Sequence, residues 1–353
     1  MTQPPSAPAI PTLDEACTAL PWAYGPPTCH GVLRASDDDF RVDERLSFEP
    51  SGDGQHALLR LRKRGSNTDW VAGRLARLAG VRPRDIGYAG LKDRHAVTTQ
   101  WFSVDLGGRD EPDWAQLADD GIELIEATRN RRKLARGAIR DNGFEIVVRE
   151  LHGDDAELEP RLQRIIDAGV PNYFGPQRFG RDGGNLAAAA ALFQGQAPQG
   201  RQARAMALSA ARALLFNRVL AARIAQGSWQ RALPGDVMGL TGSRSHFLAE
   251  TIDATIEQRL AEGDITPTGP LWGRGGSVAC GEALALEQQA LAESAFWREG
   301  LEAAGLASAR RPLWLRPGEL HWQRPDAHTL KVAFTLPAGS YATTLLREVV
   351  HLS

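Results

Sequence analysis

The chain has 353 residues, more than one hydrophobic core ordinarily serves, so two domains are expected and a miniprotein is excluded. Its 41 Lys and Arg stand against 43 Asp and Glu, a formal charge of −2, so the global basicity that by itself announces a nucleic-acid binder is absent. Three widely spaced cysteines, Cys17, Cys29 and Cys280, argue against a disulfide framework and a thiolate zinc site, and fit a reducing compartment.

The N-terminal MTQPPSAPAIP has neither a charged nor an apolar leader region, which predicts a frayed Pro-rich tail and a cytoplasmic protein. Residues 40–46 place Phe40, Val42 and Leu46 on one side, and residues 56–62 alternate likewise, so both read as half-buried strands. Thr68 can N-cap a helix running to Leu78, with Val71, Leu75, Leu78 and Ala79 on one stripe and Gly80 as its stop. Next come GYAG at 87–90, the charged stretch Lys92 to His95 and the apolar run 98–106, which predict a charged loop pinned between two strands. In residues 141–150 an Asn-Gly turn is expected, followed by a strand with Phe144, Ile146 and Val148 on one face.

From about residue 155 Ala and Leu dominate and helical stripes replace strands. The eight-residue run Leu186 to Phe193 is far short of the roughly 20 residues a bilayer requires, so a soluble protein with no membrane partner is expected. Strand alternation returns at 329–336, then a Pro-Ala-Gly-Ser turn, then a last helix that Ser340 can cap. A lone closing strand and helix cannot bury themselves. Residues 312–353 are therefore expected to complete an α+β domain begun in residues 1–168, with 169–311 inserted as a mostly helical domain.

Charge is segregated along the chain. Residues 60–94 carry ten basic side chains against three aspartates, residues 105–126 carry eight acids against Arg109 alone, and residues 129–149 carry seven basic side chains against two acids. The basic segments, Arg131, Arg132 and Lys133 among them, suit a polyanion-binding surface, though a run such as RNRRK also suits a solvated face. In PNYFGPQRFG at 171–180, rings interleave with glycines and Arg178, a composition that fits stacking of unpaired bases or simple core packing.

No two histidines stand three or four apart, no Lys-Ser/Thr follows a glycine loop, and there is no G-x-S-x-G, so zinc, nucleotide-triphosphate and serine-nucleophile chemistry are not expected. What remains is Asp93, flanked by Lys92 and Arg94 on a bend preceded by Gly90, where close backbone approach is expected. A carboxylate ionised at neutral pH can act as a nucleophile without an activating base. The same spacing suits an Asx turn or a helix N-cap.

Residues 90–101 (GLKDRHAVTTQW), 38–44 (DDFRVDE), 142–150 (NGFEIVVRE), 171–180 (PNYFGPQRFG) and 336–348 (LPAGSYATTLLRE) resemble, in this order, the tRNA pseudouridine synthase D family. The resemblance implies a pseudouridine synthase domain with a mixed, mainly antiparallel sheet, interrupted by a family-specific insertion. It implies an isomerase, an intramolecular transferase converting uridine-13 of the tRNA D arm to pseudouridine, with tRNA as partner and without nucleotide or metal cofactor. By the same resemblance Asp93 matches the catalytic nucleophile, with attack on C1′ and stabilisation of positive charge there both open as routes, and Phe40, Asn142 and Tyr341 contact the target uridine. Phe144 is the ring standing where other pseudouridine synthases usually place tyrosine. Tyr341 departs from the family's phenylalanine after PAGS. Arg347 in the last helix is a candidate ion-pair partner of Asp93, in competition with Lys92 and Arg94. A tRNA-binding chaperone and a glycoside hydrolase using Asp93 are the alternatives from other classes.

Overall fold

The computed structural model describes residues 10–118, 121–135, 137–196 and 200–353. The tail up to residue 9, with Asp119, Asp120 and Arg136 of the charged segments, lies outside the described residues. The chain forms two compact units. One comprises Pro27–Ile166, Pro317–Ala342 and Val349–Ser353. It opens with strands β1 (Cys29–Leu33), β2 (Phe40–Leu46) and β3 (His56–Arg64), then helix α1 (Thr68–Leu78). Strands β4 (Ile86–Tyr88), β5 (Val97–Asp105), β6 (Ile122–Asn130) and β7 (Ile139–Gly153) follow, and α2 (Leu158–Ala168) leads out.

β3 departs from the half-buried reading. It runs between β5 and β6, and His56, Ala57, Leu58 and Leu59 are all buried because both faces are covered. Ala57, Leu59 and Leu61 join Phe102, Val104 and the Val71, Leu75 and Ala76 stripe of α1, while Leu58 packs with Trp101 and Leu134 on the other side. Each such aliphatic side chain contributes roughly 1.5–3 kcal/mol of burial. Asn67, not Thr68, is the N-cap residue of α1. Helix α1 ends as its sequence predicts, with Gly80 at φ +61°, the Val81 amide on Ala76 O at 3.0 Å and the Gly80 amide on Arg77 O at 3.3 Å.

Two further local expectations fail. Asn142 and Gly143 form no turn: they lie inside β7, pairing with Glu44 and Asp43 of β2, so the hairpin dipeptide is overruled by ladders on both sides. Close approach falls at Gly87 instead of Gly90, since a Cβ at Gly87 would meet Ser103 Oγ at 2.4 Å and Leu134 O at 2.6 Å, whereas Gly90 has open space.

The second unit comprises Met1–Pro26, Asp167–Arg316 and Thr343–Glu348. Its elements are β8 (Val170–Pro171), α3 (Pro176–Phe179), α4 (Gly184–Phe193), α5 (Gly200–Ala225), β9 (Asp236–Leu240), β10 (His246–Ala249), α6 (Ala254–Glu262), β11 (Ile265–Leu271), α7 (Gly281–Ala290), α8 (Ala295–Ala303), β12 (Ala309–Pro312) and β13 (Trp314–Leu315). Helix α5 is long and apolar enough in composition to cross a membrane, and its Leu214, Leu215, Phe216 and Leu220 are packed inside the unit as its core. The unit also holds a four-stranded antiparallel sheet, β10-β9-β11-β12, which the Ala- and Leu-rich sequence did not announce because its strands are short and interrupted by Gly239, Pro267 and Pro270. The boundaries differ from 169–311. Buried Ala16, Cys17 and Leu20 belong with this unit, where Asn217 Nδ2 donates to Ala16 O at 2.9 Å. So does the last helix, where Glu348 accepts from the Ala23 amide at 3.0 Å.

Strands β14 (Gly318–Asp326), β15 (Thr329–Pro337) and β16 (His351–Leu352) return to the first unit, with α9 (Ala342–Leu346) between the last two. They complete a ten-stranded mixed sheet in the order β14-β15-β7-β2-β5-β3-β6, with β1 beside β7 and β16 and with β4 beside β5. Among the described residues of this sheet, only β1–β16 and β2–β5 pair in parallel. The class is α+β with a mainly antiparallel sheet. Antiparallel pairing at β15–β7–β2 lines up Leu336, Asn142 and Glu44 across three strands, and Lys92 of the bend that carries Asp93 reaches the last two.

Candidate active site

The first unit gathers Asp93, Lys92, Asn142, Phe40 and Phe144 along the β2–β7 pair, Phe40 from the first residue of β2 and Asn142 and Phe144 from the N-terminal half of β7. A tight turn delivers Phe40. Asp39, almost wholly buried, accepts from the Ser36 amide and hydroxyl at 2.9 Å each and from Arg149 Nη2 at 2.7 Å, and it sets the chain on course into β2. The Arg149 guanidinium, aided by Ser36, holds this carboxyl below its ordinary range despite burial. Phe40 meets Phe144 edge-on, 6.2 Å between centroids, and Phe144 stacks on Phe334 at 5.4 Å. Phe334, a ring the sequence reading did not single out, extends this wall. Tyr341 is half-buried in the same unit, just past the Pro337–Ser340 turn that ends β15.

The bend itself is tied down from below. Thr68 donates its hydroxyl to Gln100 Oε1 and accepts the Lys92 amide, both at 3.0 Å, and Gln100 Nε2 donates to Gly90 O at 2.7 Å. Lys63, buried to 1 % exposure, donates from Nζ to Ser66 O at 2.7 Å and to the Asp93 carbonyl at 3.3 Å. Held this way, the Asp93 carboxylate has a partner on each oxygen. Oδ1 accepts from the His95 amide at 3.1 Å, an Asx turn, and Oδ2 pairs with Arg34 Nη2 at 2.7 Å. The Asx reading and a positioned carboxylate are therefore both realised, the turn fixing the rotamer.

Arg34, absent from the sequence-derived candidates, supplies the cation beside Asp93. It adopts φ +63°, a left-handed conformation costing a non-glycine residue about 1–3 kcal/mol, as the chain leaves β1. Its guanidinium lies 4.2 Å from the Phe40 ring centroid. The three expected partners are engaged elsewhere. Lys92 Nζ pairs with Glu44 Oε2 at 2.8 Å and donates to Asn142 Oδ1 at 2.5 Å. Arg94 donates to Gly65 O at 3.1 Å. Arg347 belongs to the other unit, where it donates to Leu20 O and lies over the rings of Trp22 and Tyr173.

Since an ammonium only donates, the Lys92 contact fixes the Asn142 amide with its oxygen toward Lys92. Glu44 is fully buried, its other oxygen accepting from the Trp101 amide at 3.2 Å. Burial pushes the Lys63 ammonium down to about 8, with the nearby Asp93 charge opposing the shift. The unfolded chain then binds more protons than the folded one between pH 8 and the ordinary lysine value near 10.5, so the cost of burying Lys63 is relieved as pH rises through that window. Denaturant unfolding at pH 7 and pH 9.5 should show the wild type gaining stability relative to Lys63→Met at the higher pH. Equal differences at the two pH values contradict this.

The segregated charges fold against one another. Arg62 of β3 pairs with Glu123, its register partner on β6, at 2.8 Å, and Arg129 pairs with Glu111 at 2.7 Å. Arg131 is paired with Asp53 at 2.7 Å, an exposed pair that solvent screens, and Lys133 donates to Arg84 O at 2.5 Å. Arg132 stays exposed. In the second unit Tyr173, Phe174 and Phe179 are buried and take no stacking role. The PNYFGPQRFG segment is held as core, with the Phe174 amide on Asn217 Oδ1 at 2.9 Å and Arg178 donating to Ser209 at 2.9 Å.

The fold superposes on a crystal structure from Methanosarcina mazei designated tRNA pseudouridine synthase D, with a TM-score of 0.71, 21 % identity and 98 % of each chain covered. The likeness is one of fold, and the family match below makes the architecture that of a pseudouridine synthase. The family model for tRNA pseudouridine synthase D matches residues 20–199 and 198–349. Relatives bearing that name include proteins of Methylococcus capsulatus, 52 % identical over 333 residues with 94 % of each chain covered, and of Nitrosococcus oceani, 51 % identical over 334 residues with 93 % covered. The chain belongs to the tRNA pseudouridine synthase D family.

Proposed function

We propose that this protein isomerises uridine-13 in the D arm of tRNA to pseudouridine, with Asp93 as the nucleophile acting on a flipped-out uridine. Family membership supports tRNA pseudouridylation. The observation that carries the finer reading is the Asp93 carboxylate, held by Arg34 and the His95 amide on a bend tied from beneath, in one unit with the Phe40–Phe144–Phe334 wall.

The reaction breaks the N1–C1′ bond, turns the uracil and joins C5 to C1′, so the base must leave the helical stack and be gripped while detached. An Asp93 oxygen forms a bond to C1′ as the N1–C1′ electron pair departs with uracil. C5 then attacks C1′ and releases the carboxylate, the C5 proton is lost and N1 regains one, leaving no net change in protons or electrons. Arg34 holds the carboxylate in place. Phe40, Phe144 and Tyr341 grip the ring, and the Asn142 amide, with its oxygen committed to Lys92, offers Nδ2–H to a uracil oxygen. Arg94, Arg131, Arg132 and Lys133 remain candidates for phosphate contact, and their exposure suits that task.

Incubation of the pure protein with transcribed tRNA should produce pseudouridine at position 13, and a transcript with cytidine there should gain none. An unchanged tRNA would favour a chaperone, and released uracil a glycosidase.

A further inference from the structure

Helix α1 carries an outer stripe that the proposed chemistry leaves unused. While Val71, Ala72, Leu75 and Ala76 face the core, Trp70, Gly73, Arg74 and Arg77 recur at i, i+3, i+4 and i+7 on the opposite face. Trp70 is 49 % exposed, and Leu91 on the Asp93 bend is 50 % exposed. They are two of the six large hydrophobic side chains so exposed among the described residues. The Arg74 guanidinium lies 5.2 Å from the Trp70 ring centroid. A Cβ on Gly73 would meet nothing within 4 Å, so the helix surface beside the indole is uncovered.

The stripe is continuous with the bend. Thr68, two residues before Trp70, accepts the Lys92 amide, and Asp69 accepts from the Tyr88 hydroxyl at 2.5 Å. An indole left in water beside two arginines is a surface built to be covered by something planar and anionic. A nucleotide meets both demands, the base stacking on the ring and the phosphates facing the guanidinia.

We propose that Trp70, Arg74 and Arg77 form a docking stripe for an unpaired nucleotide of the tRNA lying next to the target uridine. The proposal rests on the tRNA reading above. Docking on this stripe strengthens binding without touching the reacting atoms, so its loss raises KM and leaves kcat at saturating tRNA unchanged.

Steady-state pseudouridine formation should show a KM raised roughly tenfold or more in Trp70→Ala, with kcat within about twofold of wild type and most of the loss recovered in Trp70→Phe. The Arg74→Ala/Arg77→Ala pair should weaken binding and flatten the salt dependence of log Kd by about two. The three variants change positions outside the core, Trp70 and Arg77 exposed and Arg74 half-buried, and their unfolding midpoints should match wild type. Direct tRNA binding is measured in parallel with Asp93→Asn as carrier of the same substitutions. If wild type makes no pseudouridine the catalytic reading fails, yet this binding assay still decides the stripe. Unchanged KM and unchanged binding in Trp70→Ala overturn the proposal, as does a concentration-dependent dimer that Trp70→Ala abolishes.

Discussion

The Asp93→Asn protein should make no measurable pseudouridine, a loss of at least about 10⁴-fold in kcat, while binding tRNA within about threefold of wild type. Asparagine has nearly the shape of aspartate and can keep the bond from the His95 amide and the tie of its own carbonyl to Lys63. What it lacks is the charge and the nucleophilic oxygen, and removing a nucleophile costs orders of magnitude that binding energy does not restore. Single-turnover assays and filter binding on one preparation separate the two quantities. Retained turnover would remove Asp93 from the reaction, and a matching collapse of binding would assign it to substrate docking.

A second large effect is expected at Lys92. Its ammonium serves the fully buried Glu44 carboxylate and the Asn142 amide together. In Lys92→Met the carboxylate loses its counter-charge, and breaking a buried pair from one side ordinarily costs about 3–5 kcal/mol. Urea unfolding should register a fall of that size. The double variant Glu44→Gln/Lys92→Met should recover much of it, because a neutral amide tolerates the site. Activity should not recover with stability, since Asn142 has lost the group that fixes its orientation. Activity returning alongside stability in the double variant would restrict Lys92 to a structural task.

Much of this was legible in the sequence because the signals were local. Period-two alternation gave β2 its bounds, and the 3.6-residue stripe with Gly80 gave α1. The Lys-Asp-Arg bend lay between two recognisable strands. The partner of Asp93 was not legible: Arg34 lies far from it in sequence, in a stretch without periodicity, and only the fold brings them together. Two further residues did leave a trace. Glu44 continues the inward series Phe40, Val42, and Lys63 continues Ala57, Leu59, Leu61, so each is a charge on an apolar face. A charge in such a position needs a buried partner, and both reach the Asp93 bend. Conversely, the aromatic glycine-rich run at 171–180 has a composition that stacking and core packing share, and burial alone distinguishes them.

Pairing of β15 with β7 sets Phe334 opposite Phe144, though some 190 residues of chain separate the two. During synthesis at about 5–20 residues per second, β7 waits roughly 10–40 s with a bare hydrogen-bonding edge before its neighbour emerges. The aromatic wall is thus among the last parts of the molecule to be assembled, and a nascent chain halted anywhere between these strands carries a sticky, unfinished sheet. Demand for a holding chaperone should peak in that interval, and strand-breaking changes in β15 should lower yield in the cell more than they lower the stability of protein already folded.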